Sequence, residues 1–181
     1  MKPIVTTPNP VLTKPAKTVT SFDKRLAKLV RDMKVTLRAT RNPKGVGLAA
    51  PQIGEPWRIF VTRPKDADPI RVFINPECIE SSVSQTEGVP ERDNKLEGCL
   101  SIPKIWGKVK RDSMMTLRYQ DETGATHTEK FSGFLATIIQ HETDHTNGIL
   151  FVQRVLEQNG KLYQANKDEN GKEVLDEIEL K

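Results

Sequence analysis

The sequence predicts an α+β fold, with antiparallel or mixed sheets packed around a central helix that carries an H-E-x-x-H motif. Two segments space their apolar residues at helical intervals, and several shorter segments have strand composition bounded by prolines or turn residues. At 181 residues the chain is large enough to bury a core and is most simply a single domain, 1–181. Residues 151–181 are expected to be a strand-rich C-terminal extension of that domain.

The first predicted helix lies within SFDKRLAKLVRDMKVTLRATRNPKG, residues 21–45. Either Ser21 or Asp23 can serve as its N-cap, because both side chains can accept a hydrogen bond from the first backbone N–H groups. Four apolar residues recur at helical spacing: Leu26, Val30, Met33 and Leu37. This spacing predicts a helix that ends before Gly45.

The strands are predicted from short apolar or alternating runs. WRIFVT (57–62) and RVFINP (71–76) are typical of buried strands, and Cys78 beyond the second is expected to be a small buried hydrophobe at a strand end. SMMTLRYQDETGATHTEKFSG (113–133) predicts a hairpin whose turn is DETG. His127 falls in the second strand of this hairpin, at a solvent-facing or half-buried position.

A second helix is predicted from Gly133 to Asn147, with Gly148 as the residue that closes it. One stripe of this helix carries four residues: Phe134, Ile138, His141 and His145. The remainder of the chain contains two Asn-Gly turn signals, QNGK and ENGK, and ends in an acidic stretch. These features predict a strand-rich tail beyond Phe151.

Composition and charge favour a globular protein in the cytoplasm. Hydrophobic residues make up 36% and charged residues 29%, the apolar runs are far short of a membrane span, and the N-terminus has no signal-peptide pattern. The formal net charge is +4, but the basic residues are dispersed. Dispersal favours a solvated surface over a specific nucleic-acid site and leaves open a weak attraction to ribosomal RNA. Two cysteines, Cys78 and Cys99, are too few for a disulfide framework.

The segment QHETDH, residues 140–145, places two histidines four residues apart. On a helix both imidazoles project from one face, and this spacing is typical of sites in which the histidines bind a metal and the glutamate acts as a base. Catalytic metal sites usually have a third protein ligand. Cys99 in LEGCLSIP is a better candidate than His127, because a thiolate binds Zn²⁺ or Fe²⁺ strongly and Gly98 would let the backbone approach the metal.

A third segment, GVGLAAPQIG (45–54), is rich in glycine and alanine and predicts a tight loop that another chain could approach. Gln52 is the polar side chain in this loop that can donate a hydrogen bond. Considered alone, such a loop is more often a packing corner than the wall of an active site. Its meaning therefore depends on the other two segments.

Together, GVGLAAPQIG, EGCLS and QHETDH resemble the three signature motifs of peptide deformylase, in the same order, and the likeness runs from about Ile4 to Phe151. The early PNPVL also resembles that family's N-terminal segment. The resemblance implies an enzyme that removes the N-formyl group from the initiator methionine of new polypeptides and releases formate. It implies one divalent metal ion held by Cys99, His141 and His145, with water in the fourth position. That ion is typically Fe²⁺, with Zn²⁺ or Ni²⁺ as substitutes.

The resemblance also implies roles for residues around the metal. Water on the metal would attack the formyl carbon, with Glu142 acting as general base and then as general acid. Gln52 and the backbone N–H of Leu100 would stabilise the oxyanion. Glu97 and Arg111 match family positions that pair behind the metal loop.

Substrate contacts are expected on the same side. Gly47 resembles the position whose backbone pairs with the extended substrate. Val46, Ile138 and Phe134 could form an apolar slot for the methionine, because the last two precede the first metal-binding histidine by one and two helical turns. Phe134 is equally well explained as ordinary core. Asp144 lies off the ligand stripe, where it could orient an imidazole or join a surface pair.

Two other classes of protein stay open, and the sequence departs from the family pattern in places. An H-E-x-x-H metallopeptidase would cut peptide bonds, but its third ligand is usually His or Glu. A noncatalytic zinc module would need Cys78 as a fourth ligand. Lys104 and Trp106 stand where the family is variable, and Thr146 stands where the family usually has Leu. The approach to the cysteine motif (81–96) is longer than in the compact bacterial pattern, and the tail lacks the C-terminal amphipathic helix of many bacterial members.

Overall fold

The computed structural model describes residues 1–41, 43–89, 91 and 95–179. Within them, the α-helices are α1 (Lys24–Ala39), α2 (Gly133–Thr146) and α3 (Phe151–Glu157), and short 3-10 helices occupy Pro10–Leu12 and Ala50–Ile53. The strands, in chain order, are β1 (Gly47–Ala49), β2 (Ile59–Thr62), β3 (Arg71–Ser81), β4 (Gln85–Glu87), β5 (Glu97–Cys99), β6 (Ile102–Gly107), β7 (Lys110–Asp112), β8 (Met114–Gln120), β9 (Thr126–Ser132), β10 (Leu162–Lys167) and β11 (Glu173–Glu177).

The strands form two main sheets and one small sheet. The larger sheet has the order β1-β2-β3-β8-β9, the second has the order β11-β10-β6-β5, and β4 pairs with β7. Every strand pair within the sheets of the described residues is antiparallel. The α+β prediction is therefore confirmed, in its antiparallel form.

Helix α1 is capped by Asp23, one of the two N-cap residues predicted for it. The Asp23 side chain accepts hydrogen bonds from the backbone N–H groups of Arg25 and Leu26, at 2.9 Å and 3.0 Å. Asp23, and not Ser21, is thus the N-cap, since it fills the acceptor role that the first turn requires. The four predicted apolar residues are buried in one cluster with apolar residues of β1 and β2.

Helix α2 matches the predicted second helix to within one residue at its C-terminal end. Gly148 follows it with a φ of 74°, and its N–H donates to the carbonyl of His145 at 3.2 Å. A side chain at position 148 would also meet the backbone of Lys14 at 2.7 Å, so glycine is required there for two reasons.

Each of the two main sheets belongs to its own apolar cluster. Ala136 and Ile139 of α2 pack on Phe60 and Phe73 of the larger sheet. A separate apolar cluster joins the second sheet to the N-terminal segment and α3; its buried members are Leu12, Cys99, Ile102, Val109, Leu150, Phe151, Val155 and Leu162. His141 of α2 also contacts Phe151 of this second cluster, so the H-E-x-x-H motif lies between two cores.

Two sequence predictions are wrong. Cys78 is exposed, because β3 continues to Ser81 and its last five residues lie on the surface. The tail is not strand-rich throughout: Phe151–Glu157 is helical, with Phe151 and Val155 buried one turn apart. The tail prediction holds for β10 and β11.

The long approach to the cysteine motif, 81–96, is partly described. Its first half forms β4 on the edge strand β7, whereas Pro90 and residues 92–94 lie outside the described residues. Along the described parts of the chain, no helix is both long enough and apolar enough to cross a membrane.

Candidate metal centre and active site

Three short elements carry the candidate site. Strand β5 supplies Cys99, helix α2 supplies His141 and His145, and the segment after β1 supplies Gln52. Because His141 and His145 are separated by one helical turn, their rings lie side by side, with centroids 5.0 Å apart and planes at 74°. Antiparallel pairing of β5 with β6 holds the cysteine opposite this pair.

The three predicted ligands converge. One donor atom each from Cys99, His141 and His145 can be chosen so that all lie within 4.8 Å of one another, and Cys99 Sγ is 3.2 Å from His145 Nε2. Two such donors on one tetrahedral metal ion would lie about 3.6 Å apart. Cys78 and His127 do not belong to this group, so the closed four-ligand zinc module is not formed.

His141 is oriented from behind. Its Nδ1 lies 3.0 Å from Glu97 Oε2, which leaves Nε2 for a metal. Arg111 holds Glu97 in turn through two hydrogen bonds, from Nε at 2.7 Å and from Nη2 at 2.9 Å. The structure therefore brings together the Glu97–Arg111 pair that the sequence placed behind the metal loop.

The buried charges shift the pKa values of this group. Burial raises the pKa of Glu97, but Arg111 and His141 outweigh it and lower the value to about 2. Burial lowers the pKa of His141, whereas Cys99 and Glu97 beside it raise that pKa well above its usual value. Burial, with the charges of His141 and Arg111, lowers the pKa of His145. The site thus favours positive charge next to Cys99 and Glu97.

Glu142 is buried, with 4% of its surface exposed, and its Oε2 has no hydrogen-bond partner among the described residues. Burial raises its pKa to about 7. Gly47 lies against it: a Cβ at position 47 would be 2.7 Å from Glu142 Cδ. A carboxylate with an unsatisfied oxygen beside three metal-type donors fits a hydrated divalent cation.

Gln52 is fixed by its own loop and reaches the cysteine. Its Oε1 accepts a hydrogen bond from Ala49 N at 2.8 Å, while Nε2 donates to Cys99 Sγ at 3.4 Å and to Ser101 Oγ at 3.3 Å. Ser101 N also donates to Cys99 Sγ, at 3.4 Å. Two N–H groups therefore stabilise negative charge on this sulfur.

One cleft contains most of the predicted site. It is lined by the following predicted residues: Val46, Gly47, Gln52, Glu97, Cys99, Leu100, Phe134, Ile138, His141 and Glu142. Arg111 and His145 do not line it and lie behind its wall. The sequence interpretation missed four further lining residues: Pro43, Lys44, Val89 and Thr137. Thr137 could have been found, because it shares the helix face of Phe134, Ile138 and His141.

Asp144 has partners that the sequence did not indicate. It contacts neither imidazole; its Oδ2 accepts a hydrogen bond from Arg111 Nη1 at 2.8 Å, and its Oδ1 accepts one from Arg154 Nη2 at 2.7 Å. The Asp144–Arg111 pair is buried, whereas the Arg154 side chain is 34% exposed. The prediction of an imidazole partner is therefore wrong, and the prediction of a surface pair describes only the contact with Arg154. Arg154 comes from α3, a helix that the sequence did not predict.

An antiparallel α+β fold in which Cys99, His141 and His145 converge next to a buried glutamate of raised pKa is the arrangement expected of one class of protein, the metal-dependent hydrolases. Residues 1–161 match the family model of polypeptide deformylase. The chain belongs to that family.

Relatives named peptide deformylase cover most of the chain. The one from Pseudothermotoga lettingae is 42% identical over 147 residues, which are 81% of this chain and 78% of the relative. Peptide deformylase 1 from Bacillus subtilis is 41% identical over 155 residues, which are 86% and 90%. At this identity and coverage, the chain is an enzyme of the same kind.

Solved structures agree with this assignment. The class I type b peptide deformylase from Acinetobacter baumannii matches with a TM-score of 0.76 and 35% identity, over 85% of this chain and 98% of that one. The peptide deformylase from Thermotoga maritima matches with a TM-score of 0.74 and 36% identity, over 85% and 97%.

Proposed function

We propose that the protein removes the N-formyl group from the N-terminal methionine of newly made polypeptides and releases formate. The observation that carries this proposal is the cleft in which Cys99, His141 and Glu142 lie together, in a chain of the polypeptide deformylase family. Hydrolysis of an unactivated amide needs a nucleophile, a proton carrier and a stabilised oxyanion, and groups suited to each of these tasks meet in the cleft.

Cys99, His141 and His145 would hold one divalent metal ion. When bound, such an ion activates a water molecule and polarises the carbonyl oxygen of the substrate. A thiolate with two imidazoles suits iron, zinc and nickel. We take Fe²⁺ as the native ion and Zn²⁺ or Ni²⁺ as substitutes, because the motifs resemble those of a family that typically carries iron. Metal analysis of anaerobically purified protein tests this choice.

Glu142 is the proposed proton carrier. Its buried carboxylate takes a proton from the attacking water and gives it to the amine nitrogen as the C–N bond breaks. The water oxygen forms the new bond to the formyl carbon, so the products are formate and a free N-terminal amine. A pKa of about 7 suits both halves of this task, because such a carboxyl group can accept and release a proton near neutral pH.

Gln52 and the backbone N–H of Leu100 are the proposed oxyanion donors. Ala49 fixes the orientation of the Gln52 amide through Oε1. Of its two N–H bonds, the one donated to Ser101 Oγ at 3.3 Å would turn to the substrate oxygen. Leu100 follows Cys99 directly and lines the cleft, so its N–H is close to the same centre. Fixed donors of this kind contribute more than mobile water, because they need no reorganisation during the reaction.

The edge of the larger sheet suits an extended peptide. Among the strands of the described residues, β1 is at the end of that sheet and pairs with β2 alone, so Gly47, which lines the cleft, lies on a strand edge that no other described strand covers. A substrate backbone could add there as a further strand. Val46, Phe134 and Ile138 line the cleft and form the proposed methionine pocket.

The proposed partners are N-formylmethionyl nascent polypeptides. These are made on ribosomes, so we place the protein in the cytoplasm, where a weak ribosome association would bring enzyme and substrate together. The dispersed basic residues favour no specific nucleic-acid site. Co-sedimentation with ribosomes at low and moderate salt tests the association.

The deciding experiment is formate release from formyl-methionyl peptides by anaerobically purified protein. We expect formate and a free amino terminus in equal amounts, with the internal peptide bonds intact. Cleavage of a peptide bond without formate would instead favour the H-E-x-x-H metallopeptidase.

Two cysteine variants test the ligand assignment in the same preparation. Cys99→Ala should lose most of the bound metal and the activity, because it removes one of three converging ligands. Cys78→Ala is the matched control and should lose neither, since that thiol is exposed and lies outside the group. Near one metal ion per chain in Cys99→Ala would overturn the assignment.

A further inference from the structure

Thr137 is a polar residue on the helix face that lines the cleft. Phe134, Thr137, Ile138 and His141 follow the spacing i, i+3, i+4 and i+7, so their side chains share one side of α2. All four line the cleft. The other two residues of this face before His141, Phe134 and Ile138, are apolar.

The Thr137 hydroxyl has no hydrogen-bond partner within the described chain. The residue is 4% exposed, and no described residue is hydrogen-bonded to its side chain. This includes the carbonyl one turn earlier, to which helical threonines often bond. In the same helix, the Thr146 hydroxyl does bond backward, to the carbonyl of Thr143 at 2.8 Å. The Thr137 hydroxyl is therefore free to donate into the cleft.

A free hydroxyl in this position affects which side chain can fill the pocket. In the empty cleft water can satisfy it, but a substrate side chain that displaces the water must offer an acceptor or leave the hydroxyl unpaired. A thioether sulfur is a weak acceptor, whereas a methylene is none. Hydrophobicity alone would favour a side chain with a methylene in place of the sulfur. The Thr137 hydroxyl opposes this preference, because the methylene cannot accept its hydrogen bond.

We propose that Thr137 is a specificity-determining residue whose hydroxyl donates to the sulfur of the first substrate side chain and so selects methionine over its methylene isostere, norleucine. This inference rests on the proposed function, because it takes the cleft as the pocket for that side chain. It predicts that removal of the hydroxyl increases turnover of the norleucine substrate relative to the methionine substrate.

The test is the ratio of kcat/KM for two peptides, formyl-Met-Ala-Ser and formyl-norleucyl-Ala-Ser, measured on one enzyme preparation. Thr137→Val keeps the shape of the side chain and removes the donor, so the Met/norleucine ratio should fall by about fivefold. Thr137→Ser keeps the donor and should preserve the ratio. Because both substrates are measured on the same sample, the fraction of active enzyme cancels.

Thr62→Val is the matched control. Thr62 is also buried with an unpartnered hydroxyl among the described residues, but it does not line the cleft, so the ratio should stay at the wild-type value. If Thr137→Val fails to fold, Thr137→Ala, which also lacks the donor and favours helix, replaces it.

The outcomes separate the two claims. If wild-type enzyme releases no formate from the methionine peptide, both the proposed function and the role of Thr137 fail. If it does release formate but the ratio in the hydroxyl-free variants equals the wild-type ratio, the role of Thr137 alone is overturned. A fall in Thr62→Val equal to that in Thr137→Val would overturn it as well.

Discussion

Glu142 shows at the scale of one residue how burial prepares a group for chemistry. Its carboxylate is enclosed, one oxygen has no described partner, and its pKa is raised to about 7. Glu142→Ala should keep the fold and the metal, because Glu142 is not among the three converging donors. The rate should fall by roughly a hundredfold to ten-thousandfold, the usual contribution of a proton carrier. Turnover per bound metal measures this, and a near-normal value would exclude the role.

Gly47 is a second residue whose identity is set by its neighbour. A Cβ at this position would press on the Glu142 side chain, at 2.7 Å from Cδ and 2.8 Å from Cγ. Gly47→Ala should therefore displace the carboxylate while leaving metal and secondary structure unchanged. Misplacement of a catalytic group by about 1 Å can reduce the rate on the order of 100-fold. Turnover per bound metal is again the measurement.

Gly45→Ala gives a control in the same loop. The three atoms nearest to its Cβ would be side-chain atoms at 3.0–3.1 Å, among them the Cδ1 atoms of Leu100 and Leu37, which can move. Its rate loss should be clearly smaller than that of Gly47→Ala. Equal losses in the two variants would mean that a changed loop conformation, and not the contact with Glu142, lowers the rate.

The candidate site could be predicted in so far as it depends on local spacing. His141, Glu142 and His145 are placed by one helix, and the order of the three motifs indicates Cys99 as their partner. Asp144 sits in the same motif, yet its contacts could not be predicted. They depend on where Arg111 and Arg154 arrive in space, which local periodicity does not encode.

At the scale of elements, α3 supports the site from outside. A chain of charged contacts runs from Arg154 through Asp144, Arg111 and Glu97 to His141. Phe151 at the start of α3 also stacks on the His141 ring, with centroids 6.1 Å apart. The sequence did not predict this helix because seven residues are too few to establish a periodic pattern, and tertiary packing decides such short segments.

Arg154→Met should loosen this support. The variant keeps an unbranched apolar stem but removes two hydrogen bonds to Asp144, so Arg111 and Glu97 are held less firmly behind His141. Loss of an outer contact of this kind lowers metal affinity by about tenfold or more. We expect faster release of bound zinc to a chelator, with the circular dichroism unchanged.

Arg118→Met is the comparison variant for that measurement. Arg118 forms an ion pair with Glu77 on the surface, where the two side chains are 51% and 57% exposed, and it is remote from the charged chain of contacts. Exposed pairs contribute little, so zinc release should match the wild type. Identical release from Arg154→Met would refute the supporting role of α3.

At the scale of the whole molecule, the site depends on the meeting of two sheets. The strand segments could be predicted from alternation and turns, as in the β8–β9 hairpin with its turn at Asp121–Gly124. The order β1-β2-β3-β8-β9 could not, because β3 and β8 are distant in sequence and local patterns carry no information on their pairing.

The C-terminal strands are attached to the second sheet at a distance from the chemistry. β10 pairs with β6, and β6 pairs with β5, so one whole strand separates the tail from Cys99. β10 also covers the edge of β6, and Leu162 is buried in the cluster that contains Val155. An exposed edge and lost apolar burial both reduce stability and solubility.

Deletion from Asn159 onward should therefore lower the free energy of unfolding, measured by urea denaturation, but leave turnover per bound metal on a formyl-methionyl peptide unchanged in the protein that folds. A shorter deletion from Asp168 onward removes β11 and keeps β10 on the edge of β6, so it should destabilise less. The stability order wild type, short deletion, long deletion is the expected result. Loss of a peripheral edge strand changes stability without changing the geometry of Cys99, His141 and Glu142. A large fall in turnover per bound metal, with secondary structure otherwise preserved, would therefore place the tail in the active site.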